Sequence, residues 1–520
     1  MNDVIQGEAQ AAEHIHGICL KNGPPRRVGV ELEWLVRDAR DPTRPVAAER
    51  IAAAVAGFRP AGTDSAHGAG PDHAGPAGAA ALPSSAAPGV LPAGSLLTTE
   101  PGGQLELSSL PADTLADCVS ATAADLAALR DAAAAAGLEL AGIGLDPFRP
   151  PRRILRLPRY AAMEAFFDRD GPWGRQMMCG TASVQVCLDA GDDSDTHSGY
   201  RFRWRLLHAI GPVLVAAFAN SPLREGRPTG WKSSRQQVWA HMDAGRTRPP
   251  TVNGDLRAGW ASYALDAQLM CVRSAGDDWT VPPGLTLRDW VRGGWALDAG
   301  QPGDGQPGDG QHRDRQHRDG EAGDTKPGDW AATRRPPAAD DLTYHLSTLF
   351  PPVRPRGHFE IRVIDAQPGD GWVVPLAVTS ALLADERAAE RALAAVERVW
   401  PGRPPGDWPP GDPSPGDRGR GGRAHGAPSP GDRASGDPSP GDWPPGSGEA
   451  DAGNPWLVAA KCGPEDPEIA RASRECFAAA RAALDGQRAP AAICHAVDAF
   501  IDSYVAQDRC PADDLLKEIP

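Results

Sequence analysis

Four glutamates and one arginine in this sequence have the types and spacing for chemistry on phosphate. They are Glu31 and Glu33 in "GVELEW", Glu106 in "EPGGQLELS", and Glu360 with Arg362 in "HFEIRVID". Each sits in a segment where polar and apolar residues alternate, and alternate residues of a strand share a face. Carboxylates crowded on one face repel one another unless a cation lies between them. Oxygen ligands without a thiolate cluster suit Mg²⁺ or Mn²⁺. An arginine among them would neutralise charge on a phosphoryl group in flight.

The elements that must hold these groups follow from the same alternation. Glu31 and Glu33 oppose Val30, Leu32 and Trp34; Gln104, Glu106 and Ser108 oppose Leu105 and Leu107. In "ASVQVCLD", Gln185, Cys187 and Asp189 oppose Val184, Val186 and Leu188, and in "HFEIRVID", His358, Glu360 and Arg362 oppose Phe359, Ile361 and Val363. A plain amphipathic strand with its acidic face in water reads the same way when taken singly. Four such strands, three of them carrying glutamate on the polar face, favour a shared site. Ahead of Glu106, Pro101, Gly102 and Gly103 predict a tight turn that brings Glu100 close to the same wall.

Helical spacing of apolar residues predicts helices over Ala47–Phe58, Leu115–Leu138, Tyr200–Asn220, Ser233–Met242, Pro375–Trp400, Glu468–Leu484 and Ala492–Val505. Strands and helices mix without a βαβ rhythm, and neither G-x-G-x-x-G nor G-x-x-x-x-G-K-[ST] occurs. The fold class is therefore α+β, without a Rossmann or P-loop nucleotide site.

Low-complexity tracts interrupt the pattern. Residues 301–340 carry an imperfect "QPGDG" repeat, 401–453 repeat "SPGD" and "PPGD", and 61–94 are rich in Ala, Gly, Pro and His. Such tracts bury too little to offset chain entropy, so 301–340 and 401–453 are expected to be disordered insertions and 61–94 a loop, all within a single catalytic domain spanning 1–520.

The chain has 520 residues and a net charge of -15. No basic stripe supports a nucleic-acid partner, and no apolar run reaches membrane-spanning length. Nine scattered cysteines show no metal or disulfide spacing, and the N-terminus has no secretory pattern. A cytoplasmic protein is the expectation; oligomeric state is not legible. Cys179 and Cys187 read as small buried packing residues, and His14, His16 and His241 lack ligand spacing.

The ordered motifs "GVELEW", "TTEPGGQLELS", "TASVQVCLD", "GWKSSRQQVW", "YALD" and "HFEIRVIDAQP" resemble those of the glutamate-cysteine ligase family, in its actinobacterial ergothioneine-pathway branch. The likeness covers Val28 to about Ala377 and implies a glutamine-synthetase-like fold, a curved antiparallel sheet funnel backed by helices. It implies ATP-dependent formation of γ-glutamylcysteine from L-glutamate and L-cysteine through a γ-glutamyl phosphate. Under the resemblance, Glu31, Glu33, Glu106 and Glu360 hold Mg²⁺, Arg362 and Glu106 are catalytic, and Gln185 and Arg362 contact the nucleotide. Arg235 in "KSSRQQ" clamps a substrate carboxylate, with Glu100 and Gln104 also facing substrate. Two other readings stay open: a related carboxylate-amine ligase with a different amine acceptor, and a degenerate acidic scaffold.

Overall fold

Alternation in the predicted strands becomes one open, entirely antiparallel sheet. The computed structural model describes residues 3–60, 89–250, 254–293, 335–400 and 454–518. Most of the three low-complexity tracts, residues 61–88, 301–334 and 401–453, lies outside the described residues.

The strands are β1 (Val28–Asp38), β2 (Arg59–Pro60), β3 (Gly89–Val90), β4 (Leu96–Thr99), β5 (Leu105–Ser108), β6 (Leu138–Ala141) and β7 (Ser183–Asp189). A small ribbon, β8 (Leu223–Arg224) with β9 (Arg227–Pro228), stands apart, and β10 (Val353–Pro355) with β11 (His358–Asp365) completes the main sheet. The order is β10-β11-β7-β1-β5-β4-β3-β2, with β6 also pairing to β1. The sheet does not close into a barrel. Its middle three strands, β7, β1 and β5, come from segments far apart in sequence, so the site is assembled by topology.

Burial follows the split predicted from alternation. Val30, Leu32, Trp34, Leu105, Leu107, Val186, Phe359 and Ile361 are all buried. Helices Leu115–Ala135, Tyr200–Ala217 and Val373–Ala384 pack on that side. Trp204 of the second helix meets Phe359 with ring centroids 5.4 Å apart. Fixing the apolar face fixes the other, because a one-residue slip would drive every glutamate into the core.

Three expectations are corrected. The helix predicted over Pro375–Trp400 is two, Val373–Ala384 and Glu386–Val399. Asp385 breaks it by accepting the Ala388 N–H at 2.8 Å as the N-cap of the second helix. The tract 61–94 ends in ordered chain from Gly89, because the Asp125 carboxylate accepts the N–H groups of Ala93 and Ser95 at 2.5 and 2.9 Å. The tract 301–340 likewise gives way to ordered chain at Arg335, whose guanidinium forms a fork with Asp341 at 2.6 and 2.9 Å. In each case the decisive partner is a polar group that composition does not weigh.

Candidate active site

The turn at Pro101–Gly103 sets the wall's first edge. Glu100 N–H bonds the Gln104 carbonyl and Gly103 N–H bonds the Glu100 carbonyl, both at 2.8 Å, closing a hairpin between β4 and β5. Gly103 has φ +90°, a conformation glycine adopts without Cβ strain. At Gly102 the constraint is space: a Cβ would lie 2.3 Å from the Cys179 carbonyl oxygen.

Register then gathers the carboxylates. Glu33 pairs directly with Glu106, and Glu31 pairs with Ser108 on one side and Gln185 on the other. Glu33 accepts hydrogen bonds from Ser183 Oγ (2.9 Å) and Gln185 Nε2 (2.8 Å). Glu106 Oε1 accepts from Thr98 (3.0 Å) and Ser108 (3.2 Å). Burial pushes the Glu106 carboxyl up, and Glu33 adds to it. Burial together with Glu360 and Glu106 pushes Glu31 well above the usual range. Burial, Glu106 and Glu33 push Glu100 up to about 8.

Glu360, expected among the metal ligands, differs from the other glutamates in being held by arginines. It is 0% exposed, and Arg354 grips both its oxygens, Nε to Oε2 at 2.5 Å and Nη2 to Oε1 at 2.9 Å. Arg362 Nη1 adds a third bond at 3.1 Å. Burial opposes its charge, but Arg354, Arg362 and Arg356 hold the carboxyl well below its ordinary value. Glu360 anchors arginines here. Arg354 and Arg356 were missed by sequence reasoning, although "VRPRGHFE" places them six and four residues before Glu360 and Arg354 opposite it in register.

Arg362 owes its aim to an irregularity. Between Ile361 and Ile364 the register with β7 shifts by one, so β11 carries an extra residue. Such a bulge frees ladder carbonyls and re-aims a side chain. Arg235 Nη2 donates to the Arg362 carbonyl and Gln236 Nε2 to the Val363 carbonyl, each at 2.8 Å. Arg235 is 2% exposed, with Asp365 3.8 Å away. Its Nη2 supports the bulge, while its Nε and Nη1 have no hydrogen-bond partner among the described residues. The shifted phase also brings Asp365 opposite Ser183, which simple alternation does not foresee.

The two glutamines are committed as well. Gln185, 1% exposed, gives its Nε2 to Glu33 and accepts from Arg362 Nη1 with its Oε1, tying the carboxylate wall to the arginine. Gln104 accepts the Gly102 N–H at 3.0 Å and donates to the carbonyls of Met178 (3.3 Å) and Thr181 (2.9 Å). These bonds brace the hairpin against the segment before β7. Tyr160 and Arg159 were also missed: the hydroxyl of Tyr160 is pushed up by burial and by Glu100, and Arg159 counters charge on Glu100. Burial raises the Cys187 thiol well up and Cys179 to about 12, in keeping with packing roles.

Among the described residues no three His, Cys, Asp or Glu side chains converge into a ready-made metal cage. The fit is instead to a cation that brings ligands of its own. Mg²⁺ keeps several waters and binds through one or two carboxylates plus substrate phosphates. Glu31, which accepts no hydrogen bond from the described residues, and Glu106 and Glu33, which retain free lone pairs, offer such a surface.

An open antiparallel sheet with helices on one face and a carboxylate-arginine wall on the other defines an α+β protein equipped to handle phosphate. The chain belongs to glutamate-cysteine ligase family 2, whose model matches residues 27–403. It is 37% identical over 401 residues to the glutamate-cysteine ligase EgtA of Mycobacterium tuberculosis (strain CDC 1551 / Oshkosh), covering 76% of this chain and 77% of that protein. It is 38% identical over 399 residues to EgtA of Mycolicibacterium smegmatis, covering 75% and 77%. A solved glutamate-cysteine ligase (gshA) from Francisella tularensis in complex with AMP overlays with a TM-score of 0.42 at 9% identity, covering 95% of this chain and 85% of that one. No helix among the described residues is long and apolar enough to cross a membrane.

Proposed function

We propose that this member of the glutamate-cysteine ligase family joins L-glutamate to L-cysteine at the expense of ATP, supplying γ-glutamylcysteine for ergothioneine synthesis. The reading treats the sheet as a glutamine-synthetase-like funnel whose polar face is the active site. The observation that carries it is the desolvated wall of Glu31, Glu33, Glu106 and Glu100 beside the bulge-aimed Arg362. Family membership supplies the reaction.

A carboxylate resists attack by an amine because oxide is a poor leaving group. Transfer of the γ-phosphoryl group of ATP to the γ-carboxylate of glutamate breaks the β–γ phosphoanhydride and releases ADP. The cysteine nitrogen then attacks the acyl carbon, phosphate departs, and one proton leaves the nitrogen. Arg362, held by Gln185 and Glu360, meets the negative charge that builds on the transferring group. Glu100, with its carboxyl pushed up to about 8, exchanges protons near neutral pH, the property needed where a substrate ammonium must lose one. Mg²⁺ held by Glu31, Glu33 and Glu106 would screen the ATP phosphates.

The test is mass spectrometry of the product from ATP, Mg²⁺, glutamate and cysteine, with other amines in competition. γ-Glutamylcysteine with one ADP per product is the expected result. Equal ADP release without cysteine, or preference for another amine, would sink this reading.

A further inference from the structure

A second cavity lies away from the carboxylate wall. It has a volume of about 690 Å³, within the range of small-molecule sites, and reaches the strand ends Val28 and Leu188. Leu188 belongs to the apolar face of β7, so this cavity opens on the helix-covered side of the sheet, opposite the glutamates.

Its chemistry is the reverse of the wall's. Arg203, 3% exposed, lines it. The Arg203 guanidinium donates to the carbonyls of Leu383 (2.8 Å) and Asp189 (3.0 Å), while its Nε has no hydrogen-bond partner. No carboxylate among the described residues forms an ion pair with it. Burial pushes Arg203 down to about 10, and the nearby Asp189 and Asp192 carboxylates offset it only in part. The buried Ser380 Oγ, also on the lining, is likewise unpartnered.

Around the mouth stand Arg26, Arg27 and Arg488, all exposed and none in an ion pair among the described residues. The start of helix Leu115–Ala135 adds the Leu115 and Ala116 N–H groups, which a helix leaves without internal acceptors. Two aspartates, Asp113 and Asp192, also line the cavity, but Asp192 is occupied by the Ser194 N–H (3.0 Å) and Oγ (2.5 Å). His197 lies 3.7 Å from Glu386. On a chain of net charge -15, four arginines at one cavity mark a local reversal of sign.

We propose that this cavity is a second binding site, for a small polyanion bearing two or more phosphate or carboxylate groups, with Arg203 at its base and Arg26, Arg27 and Arg488 at its mouth. The inference does not depend on the ligase reading, since it uses none of the wall's residues.

Calorimetry of the full chain with pyrophosphate and with citrate at low salt tests it. Wild type should bind at least one of them, and the tighter of the two tells whether phosphate or carboxylate is the preferred group. The Arg27→Ala/Arg488→Ala double variant, altered only at exposed positions, should bind at least 10-fold more weakly with its melting temperature unchanged. Arg203→Met should abolish binding if it folds. Equal affinity in the double variant would place the anion elsewhere, including on the catalytic wall, and overturn the proposal, as would no binding of either anion by wild type.

Discussion

The Arg235 guanidinium donates to the backbone carbonyl of Arg362 at 2.8 Å, across 127 positions of chain, and so holds the bulge that aims the arginine of the wall. Arg235→Met keeps the length and packing of the side chain but drops that bond. We expect kcat to fall by on the order of 10–100-fold with KM for glutamate changed little, because the loss is in the placement of Arg362. A clamp on the substrate carboxylate predicts the opposite split, a large rise in KM. Steady-state kinetics in both substrates separates the two.

Glu33 and Glu106 stand directly opposite each other, and Glu106→Gln removes one of two like charges at a register pair. Turnover should fall by on the order of 10²–10³, the scale on which a preorganised electrostatic group is worth to a transition state. The melting temperature without metal should stay level or rise, since repulsion is relieved. A variant that unfolds instead would make Glu106 a structural residue.

The raised proton affinity of Glu100 has a signed consequence for stability. Its carboxyl titrates at about 8 in the folded chain against 4.5 ordinarily, so between those values the folded state binds more protons than the unfolded one. Stability from this group is present below pH 4.5 and is lost as pH rises towards 8. Burial of His208, held down to about 4, and His345, held down to about 3, works the other way below pH 6.5. From pH 6.5 to 8 those histidines no longer contribute, which leaves the raised carboxyl cluster of Glu100, Glu31 and Glu106. Over that range, the melting temperature of metal-free protein should drop by roughly 2 °C or more, and both Glu100→Gln and added Mg²⁺ should flatten the slope. An unchanged slope in Glu100→Gln would remove Glu100 from the cluster.

Gln185 joins Glu33 to Arg362 through the two ends of one amide. Gln185→Leu should raise the Mg²⁺ concentration needed for half activation by about 10–100-fold, as for other residues that orient metal ligands. If the variant alters only KM for ATP, Gln185 contacts nucleotide directly, as the family resemblance implies. Mg²⁺ titration at saturating ATP decides.

Much of this wall is legible in the sequence because strand alternation is a local rule. Leu32 and Trp34 on one side fix Glu31 and Glu33 on the other without knowledge of any partner strand. What alternation misses is register and commitment. The bulge at Arg362 depends on Arg235 and Gln236, far along the chain, and it alone brings Asp365 onto the polar side. Glu360 has the same local pattern as Glu31, yet Arg354 claims both its oxygens while Glu31 keeps its own free. No property of a single strand distinguishes those two glutamates. Cavities framed by several elements, like the one around Arg203, are invisible for the same reason.

Gln104 offers the sharpest contrast between a residue on the polar side and a residue of the site. Three hydrogen bonds to backbone groups of Gly102, Met178 and Thr181 occupy its amide, tying the Pro101–Gly103 turn to the segment ahead of β7. Gln104→Ala strands those buried groups and should cost about 1–3 kcal/mol of stability. Chemical denaturation measures that loss. Because both amide hydrogens are already committed, the folded variant should keep KM for glutamate within about twofold of wild type. A large KM increase at unchanged stability would return Gln104 to the substrate and leave the hairpin held by the close approach of Gly102 to Cys179 alone.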